Sequence, residues 1–184
     1  VFSLNRFRFY LPKAFVNANW TKPSMLSMFY SDYASNLGIG NIGFDVSLSQ
    51  KKIFYNPNRK NLINRLRDNS YYTASVMNNV FLLDYTGVGF DIGFHELIQI
   101  GKDIDDTKKI ADETIDFLNR NKHFPFFLHV NFNTPHGSYA PPARVMKELQ
   151  QETAPAIWNK ENPTLRRYYG EIRYADEELG RIVK

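Results

Sequence analysis

Two short segments of this 184-residue chain carry side chains suited to chemistry on an ester. In "FVNANWTKPSMLSMFYSDY", residues 15 to 33, Thr21 stands before Lys-Pro-Ser and a run that reads as a helix over 24–33. Leu26, Phe29, Tyr30 and Tyr33 recur there at 3–4 spacing. As an N-cap, Thr21 would satisfy an orphan amide of that helix, and Pro23 suits its first turn. The same geometry would aim helix amides and the positive dipole end at an anion beside the hydroxyl. A threonine hydroxyl does not ionise unaided near neutral pH, so attack through it requires a metal ion or a base. Cap and nucleophile are both open at this point.

The second segment is the loop "NTPHGSYAPP" (133–142), where His136 lies four residues past Phe132, the end of the most apolar strand-like run. An imidazole there could donate to an oxyanion or protonate a leaving group. It could equally be a loop imidazole bonded to a neighbouring carbonyl. Pro135, Pro141 and Pro142 stiffen the loop, and Gly137 would let backbone approach a ligand closely. His129, inside the run, reads as a packed residue, and His95 and His123 show no partner at metal-ligand spacing.

The elements that must position these groups follow from periodicity. "NRKNLINRLRDN" (58–69) predicts a helix, "YYTASVM" (71–77) a strand, and "DYTGVGFDIGF" (84–94) a Gly-rich loop. "NIGFDVSL" (41–48) reads as a short strand or loop. "DDTKKIADETIDFLNRN" (105–121) is a helix with Ala111, Ile115 and Leu118 on one face. The acids Asp103, Asp105 and Asp106 before it suit a capped helix start better than a metal site. "FPFFLHVNF" (124–132) is the clearest strand, apolar enough to be buried on both faces. A short helix around 143–151 follows. The last helix, 163–184, places Tyr168, Ile172, Ala175, Leu179 and Val183 on one stripe and the acids of "ADEELG" (175–180) toward solvent. This order predicts an α/β fold with right-handed crossovers and a site beyond the carboxyl ends of the strands.

With 43% hydrophobic and 15% aromatic residues, the chain is expected to be one ordered domain or part of one. No stretch approaches the apolar length of a membrane span, and "VFSLNRFRFYLPK" breaks any leader pattern with Asn, Arg and Lys. The start at Val1 suits an excerpt of a longer protein. The net charge of +4 favours anionic partners. Its basic residues are scattered, from Arg6 and Arg8 to Lys51, Lys52, Arg59 and Arg67, so no nucleic-acid arm is expected. Without cysteine there are neither disulfides nor thiolate metal sites.

Four segments, in order, resemble the sulfatases and their relatives in the alkaline-phosphatase superfamily. "NANWTKPSMLSMFYSDY" is similar to the nucleophile segment, where Cys, Ser or Thr precedes x-Pro-Ser and opens a helix. "SYYTASVMNNVF" with "GVGFDIGF" is similar to the family's Gly-Tyr-x-Thr-Ala strand and Gly-Phe-Asp loop. "FPFFLHVNFNTPHGSYAPP" resembles its strand and Pro-His-x-x-Tyr loop, and "YYGEIRYADEELGRIVK" the helix that follows. The resemblance implies an alkaline-phosphatase-like α/β sandwich with a mostly parallel sheet between helices, incomplete in this chain. Residues 1–184 would be the central fragment of one catalytic domain.

It further implies a covalent enzyme intermediate on Thr21, with Thr21 also touching a divalent cation (Ca, Mg, Mn or Zn), and His136 on the ester group. Asn78 or Asn79 falls where many sulfatases have the Lys of a Gly-Lys-Trp-His motif, and Met25 where they have Arg. Thr cannot become the formylglycine aldehyde of Cys/Ser sulfatases, because oxidising a secondary alcohol gives a ketone. Direct attack by Thr21 therefore suits a phosphate ester better than a sulfate ester. Most metal carboxylates would lie before Val1 and after Lys184, since Asp45, Asp84, Asp91, Asp112, Asp116 and Asp176 are dispersed. The segment alone is thus expected to be inactive, and its parent extracytoplasmic or membrane-associated. Two other readings stand beside this one: a non-catalytic domain of the same fold that binds anionic glycans or lipids, and, more distantly, a basic nucleic-acid-binding domain, which would bind with a steep salt dependence.

Overall fold

The computed structural model describes residues 13–39, 46–82, 89–101 and 106–184. The expectations for 41–45, for the first half of the Gly-rich loop, and for Asp103 and Asp105 lie outside these residues.

Three parallel strands form the sheet: β1 (Tyr72–Met77), β2 (Glu96–Gln99) and β3 (Phe126–Asn131), in the order β2-β1-β3. Tyr72 pairs with Phe126 and Met77 with Asn131, while Ala74 pairs with Glu96. All three strands therefore end at one rim. Residues alternate faces along β1. Met77 joins Leu26, Phe29, Leu37, Phe54 and Ile63 in one buried cluster, whereas Tyr72 stacks on Phe117 on the other side, 6.1 Å between ring centroids.

The first layer of helices is α1 (Thr21–Tyr30), α2 (Leu48–Phe54) and α3 (Leu62–Asp68). α2 was not expected, although "SLSQ" spells its capping box: Ser47 and Gln50 bond reciprocally at its start. Asn61 and Asn64 do the same for α3. The second layer holds α4 (Thr107–Asn121), α5 (Ala143–Glu152), the short α6 (Pro155–Trp158) and α7 (Pro163–Ile182). Arg173 of α7 forks onto Glu152 of α5 at 2.9 and 3.0 Å. Arg181 reaches Asp112 of α4, and Lys108 together with Arg181 holds that carboxyl below the usual range.

Four expectations are corrected. β3 is not the strand buried on both faces. Every residue from Phe126 to Asn131 is half-buried, and the central β1 is the buried one from Thr73 onward. The apolar run of β3 lines an edge of the sheet that no described strand covers. α7 turns its expected stripe outward: Ile172, Leu179 and Val183 are each more than 40% exposed, while Gly170, Glu171, Glu178 and Gly180 face inward. Gly170 lets α7 lie close against Pro141 and Met146, and Glu178 pairs with Arg181. The acids of "ADEELG" therefore do not all face solvent. Asp106 precedes α4 without capping it and instead pairs with Lys109. β2 was missed because only four residues, with Glu96 and Gln99 at the ends, carry no clear alternation.

Candidate active site at the carboxyl rim of the sheet

Thr21 is the first residue of α1, not its N-cap. Trp20 takes the cap position in extended conformation, and no side chain bonds the free amides there. The hydroxyl is therefore not engaged as a cap, and the helix entry stays open to another acceptor. Aromatic contacts seat this end of α1. Trp20 meets Phe81 edge-on at 5.5 Å, and Lys22 Nζ lies 5.3 Å from the centroid of the same ring. Phe81 is four residues past the end of β1, so these contacts hold Thr21 beside the carboxyl rim. Lys22 is fully buried next to Thr21, a rare setting for a lysine. Sequence reading passed over it because Thr-Lys-Pro-Ser looks like an ordinary polar helix start.

Asn78 and Asn79 continue β1 beyond Met77 and are 3% and 6% exposed. Asn78 Oδ1 accepts from the main-chain N–H of Asn133 at 2.9 Å, and Asn79 Nδ2 donates to Asn133 Oδ1 at 2.9 Å. Asn79 Oδ1 also accepts from the N–H of Phe81 at 3.0 Å. The pair thus ties the end of β1 to the start of the His136 loop and turns the chain toward Phe81. One group remains over: Asn78 Nδ2 is buried with no hydrogen-bond partner among the described residues. Such a donor has the chemistry to receive a ligand oxygen. Asn133 had no place in the sequence reading, since its role is a pairing across 54 and 55 residues.

The loop is strapped at both ends. Thr134 and Thr107, at the start of α4, share a hydroxyl hydrogen bond of 2.7 Å. At the far end, the N–H of Ala140 donates to the carboxylate of Glu171 at 2.9 Å, and Glu171 is 2% exposed. A Cβ on Gly170 would meet Met146 Sδ at 2.6 Å and Pro141 Cγ at 2.7 Å, so only glycine admits this contact. Between the straps, His136, Gly137 and Ser138 are exposed. His136 Nδ1 lies 2.7 Å from the carbonyl oxygen of Gly137. A carbonyl only accepts, so Nδ1 carries the proton and Nε2 is left for another partner. The carbonyl-bonded loop imidazole of the blander sequence reading is what the geometry gives, with one ring nitrogen still uncommitted. A Cβ on Gly137 would meet nothing within 4 Å, so the protein's own packing does not require glycine there.

The remaining histidines take no part. His129 accepts or donates at 2.8 Å with Ser75 Oγ and packs against Phe29 and Phe90, and burial pushes its pKa down to about 4. His95 Nδ1 accepts the N–H of Thr73 at 3.1 Å. Among the described residues, no group of three or more His, Asp or Glu side chains converges. These residues do not by themselves fit a divalent cation. No helix among them is long and apolar enough to cross a membrane.

The carboxyl rim of this parallel sheet, the edge at which open α/β sheets bind ligands, carries the start of α1, the Asn78–Asn79 amides and the strapped His136 loop. The chain belongs to the sulfatase family, whose model, described as Sulfatase, matches residues 3–184. Its fold is similar to the crystal structure of Ps i-CgsB, with a TM-score of 0.65 and 17% identity over 91% of this chain. The complex of Ps i-CgsB with k-i-k-neocarrahexaose gives 0.64 and 18% over the same share. The chain spans 44% of the length of each, so its sandwich is an incomplete form of that fold. No curated protein matches the sequence.

Proposed function

We propose that the complete protein is a sulfatase-family hydrolase or transferase of anionic esters, with Thr21 as nucleophile and His136 on the leaving-group side. The observation that carries this reading is the seating of α1 on Phe81, which brings an uncapped helix start with its threonine to the rim where the His136 loop is strapped. A helix N-terminus favours the negative charge of the ester group. In the first step Thr21 Oγ1 bonds to phosphorus, the bond from phosphorus to the alcohol oxygen breaks, and His136, whose Nδ1–H is held by the Gly137 carbonyl, takes up a second proton from solvent at Nε2 and delivers it to that oxygen. Water then cleaves the threonine ester. The proton from Oγ1 passes to a general base supplied outside the described residues. Asn78 Nδ2 is the amide best placed in burial and valence to bind an ester oxygen.

A phosphate ester suits direct attack by Thr. The oligosaccharide held by the structural neighbour supports a glycan as the alcohol part, and keeps a glycan sulfate as the second substrate class. The test uses the full-length protein with 4-nitrophenyl phosphate and 4-nitrophenyl sulfate. Thr21→Ala is expected to lower turnover by on the order of 10³-fold or more and to remove a phosphothreonine trapped by acid quench. Turnover that survives the substitution would reduce Thr21 to a structural helix start.

A further inference from the structure

The loop that carries His136 continues into a cleft unused by the chemistry above. Tyr139, Asn162, Thr164, Leu165 and Tyr168 line it, and its volume is about 410 Å³. That is within the range of small-molecule sites. The rings of Tyr139 and Tyr168 meet edge to face, 5.3 Å between centroids at 61°, and form two walls set at an angle. Both rings are half-buried, so each keeps an open side. Among the described residues no Lys, Arg, Asp or Glu lines the cleft, which favours a neutral occupant.

We infer that this cleft is a subsite for a neutral pyranose ring in the alcohol part of the substrate. The inference rests on the reading of Thr21 and His136 as an esterase site. A pyranose has one apolar C–H face and an edge of hydroxyls. The tyrosine rings offer flat apolar surface, while their phenol groups, the Asn162 amide and the Thr164 hydroxyl offer partners to the edge. An alkyl chain would match the rings and leave the polar groups idle. Tyr139 is three residues from His136, so their Cα atoms are no more than about 11 Å apart. An ester group at the imidazole therefore places an adjoining sugar within reach of the cleft. The cleft is also preformed: the residue after Tyr139 is bonded to buried Glu171, and Pro141 rests on Gly170. Preformed walls reduce the ordering cost of binding.

The experiment presents full-length wild-type protein, Tyr168→Ala and Tyr168→Trp to an array of phosphorylated, sulfated and uncharged oligosaccharides. Hydrolysis of 4-nitrophenyl phosphate and 4-nitrophenyl sulfate is measured in parallel. Wild type is expected to retain both charged glycans and their uncharged counterparts. Tyr168→Ala weakens both at least tenfold, Tyr168→Trp restores them, and the loss in kcat/KM on a retained glycan ester exceeds the loss on the nitrophenyl ester by tenfold or more. Equal losses on glycan and nitrophenyl esters, or no glycan retained by wild type, overturn the subsite while leaving the esterase reading intact. Tyr168-dependent retention of uncharged glycans without hydrolysis of any ester supports the subsite and removes the esterase reading instead.

Discussion

Asn78, Asn79 and Asn133 at the rim, and His136 in the loop that leaves it, are held in opposite ways. The three asparagines are locked to one another by two side-chain hydrogen bonds of 2.9 Å, and Asn78 and Asn79 are almost fully buried. His136, three residues further on, is exposed and bonded only to its neighbour's carbonyl. On the proposed function the difference separates scaffold from reagent. Side chains that fix the backbone of the rim are desolvated, and the imidazole proposed to meet the substrate stays at the surface between two anchors. Such a division lets the imidazole change without unfolding the rim, and makes the rim costly to change.

The largest expected effect isolates the exposed half. His136→Ala in the full-length protein lowers kcat on a nitrophenyl ester by about 10²–10⁴-fold, while its unfolding free energy, measured in urea, changes by less than about 0.5 kcal/mol. A stability loss as large as that of a rim variant would erase the contrast. Next comes the core behind the rim. His129 has a folded pKa of about 4, below its unfolded value near 6.5, so the unfolded chain binds the proton first as pH falls. Stability is full above about pH 6.5 and declines toward pH 4 by up to about 3 kcal/mol. Urea midpoints between pH 4 and 8 follow this slope, and His129→Leu flattens it. An unchanged slope in that variant assigns the acid sensitivity elsewhere. Asn78→Ala strands the N–H of Asn133 and costs about 1–3 kcal/mol by denaturation. Its own unpartnered Nδ2 disappears with it, so the lower half of that range is expected. The smallest effect is that of Gly137→Ala, within about 0.5 kcal/mol, because nothing stands within 4 Å of the new methyl. A larger loss there would show that the loop tip is held as firmly as its ends.

Much of the frame was legible because it is repetitive. β1, α3, α4, α5 and the extent of α7 follow from apolar spacing, and the structure keeps them within a few residues of the expected bounds. Orientation was less legible. In α7 the aliphatic side chains suggested the buried stripe, yet Gly170 allows close packing and Arg173 and Arg181 fasten the helix by ion pairs. In β3 composition promised burial, but burial depends on which strand lies alongside, and a run such as Phe126–Asn131 carries no mark of its neighbours. At the site, Thr21 and His136 stood out through Pro, Gly and helix-start signals close in sequence. Asn133, Glu171 and Lys22 did not, since each acts through a partner or ring distant along the chain.

The order β2-β1-β3 has a practical corollary for handling the polypeptide by itself. Each outer strand turns one row of main-chain donors and acceptors toward positions that no described strand fills. Two open rows of this kind accept any extended peptide, including another molecule of the same chain. Concentrated samples are therefore expected to grow by strand addition, and a charge at exposed Phe124 just before β3, Phe124→Lys, is a natural means of keeping them dispersed.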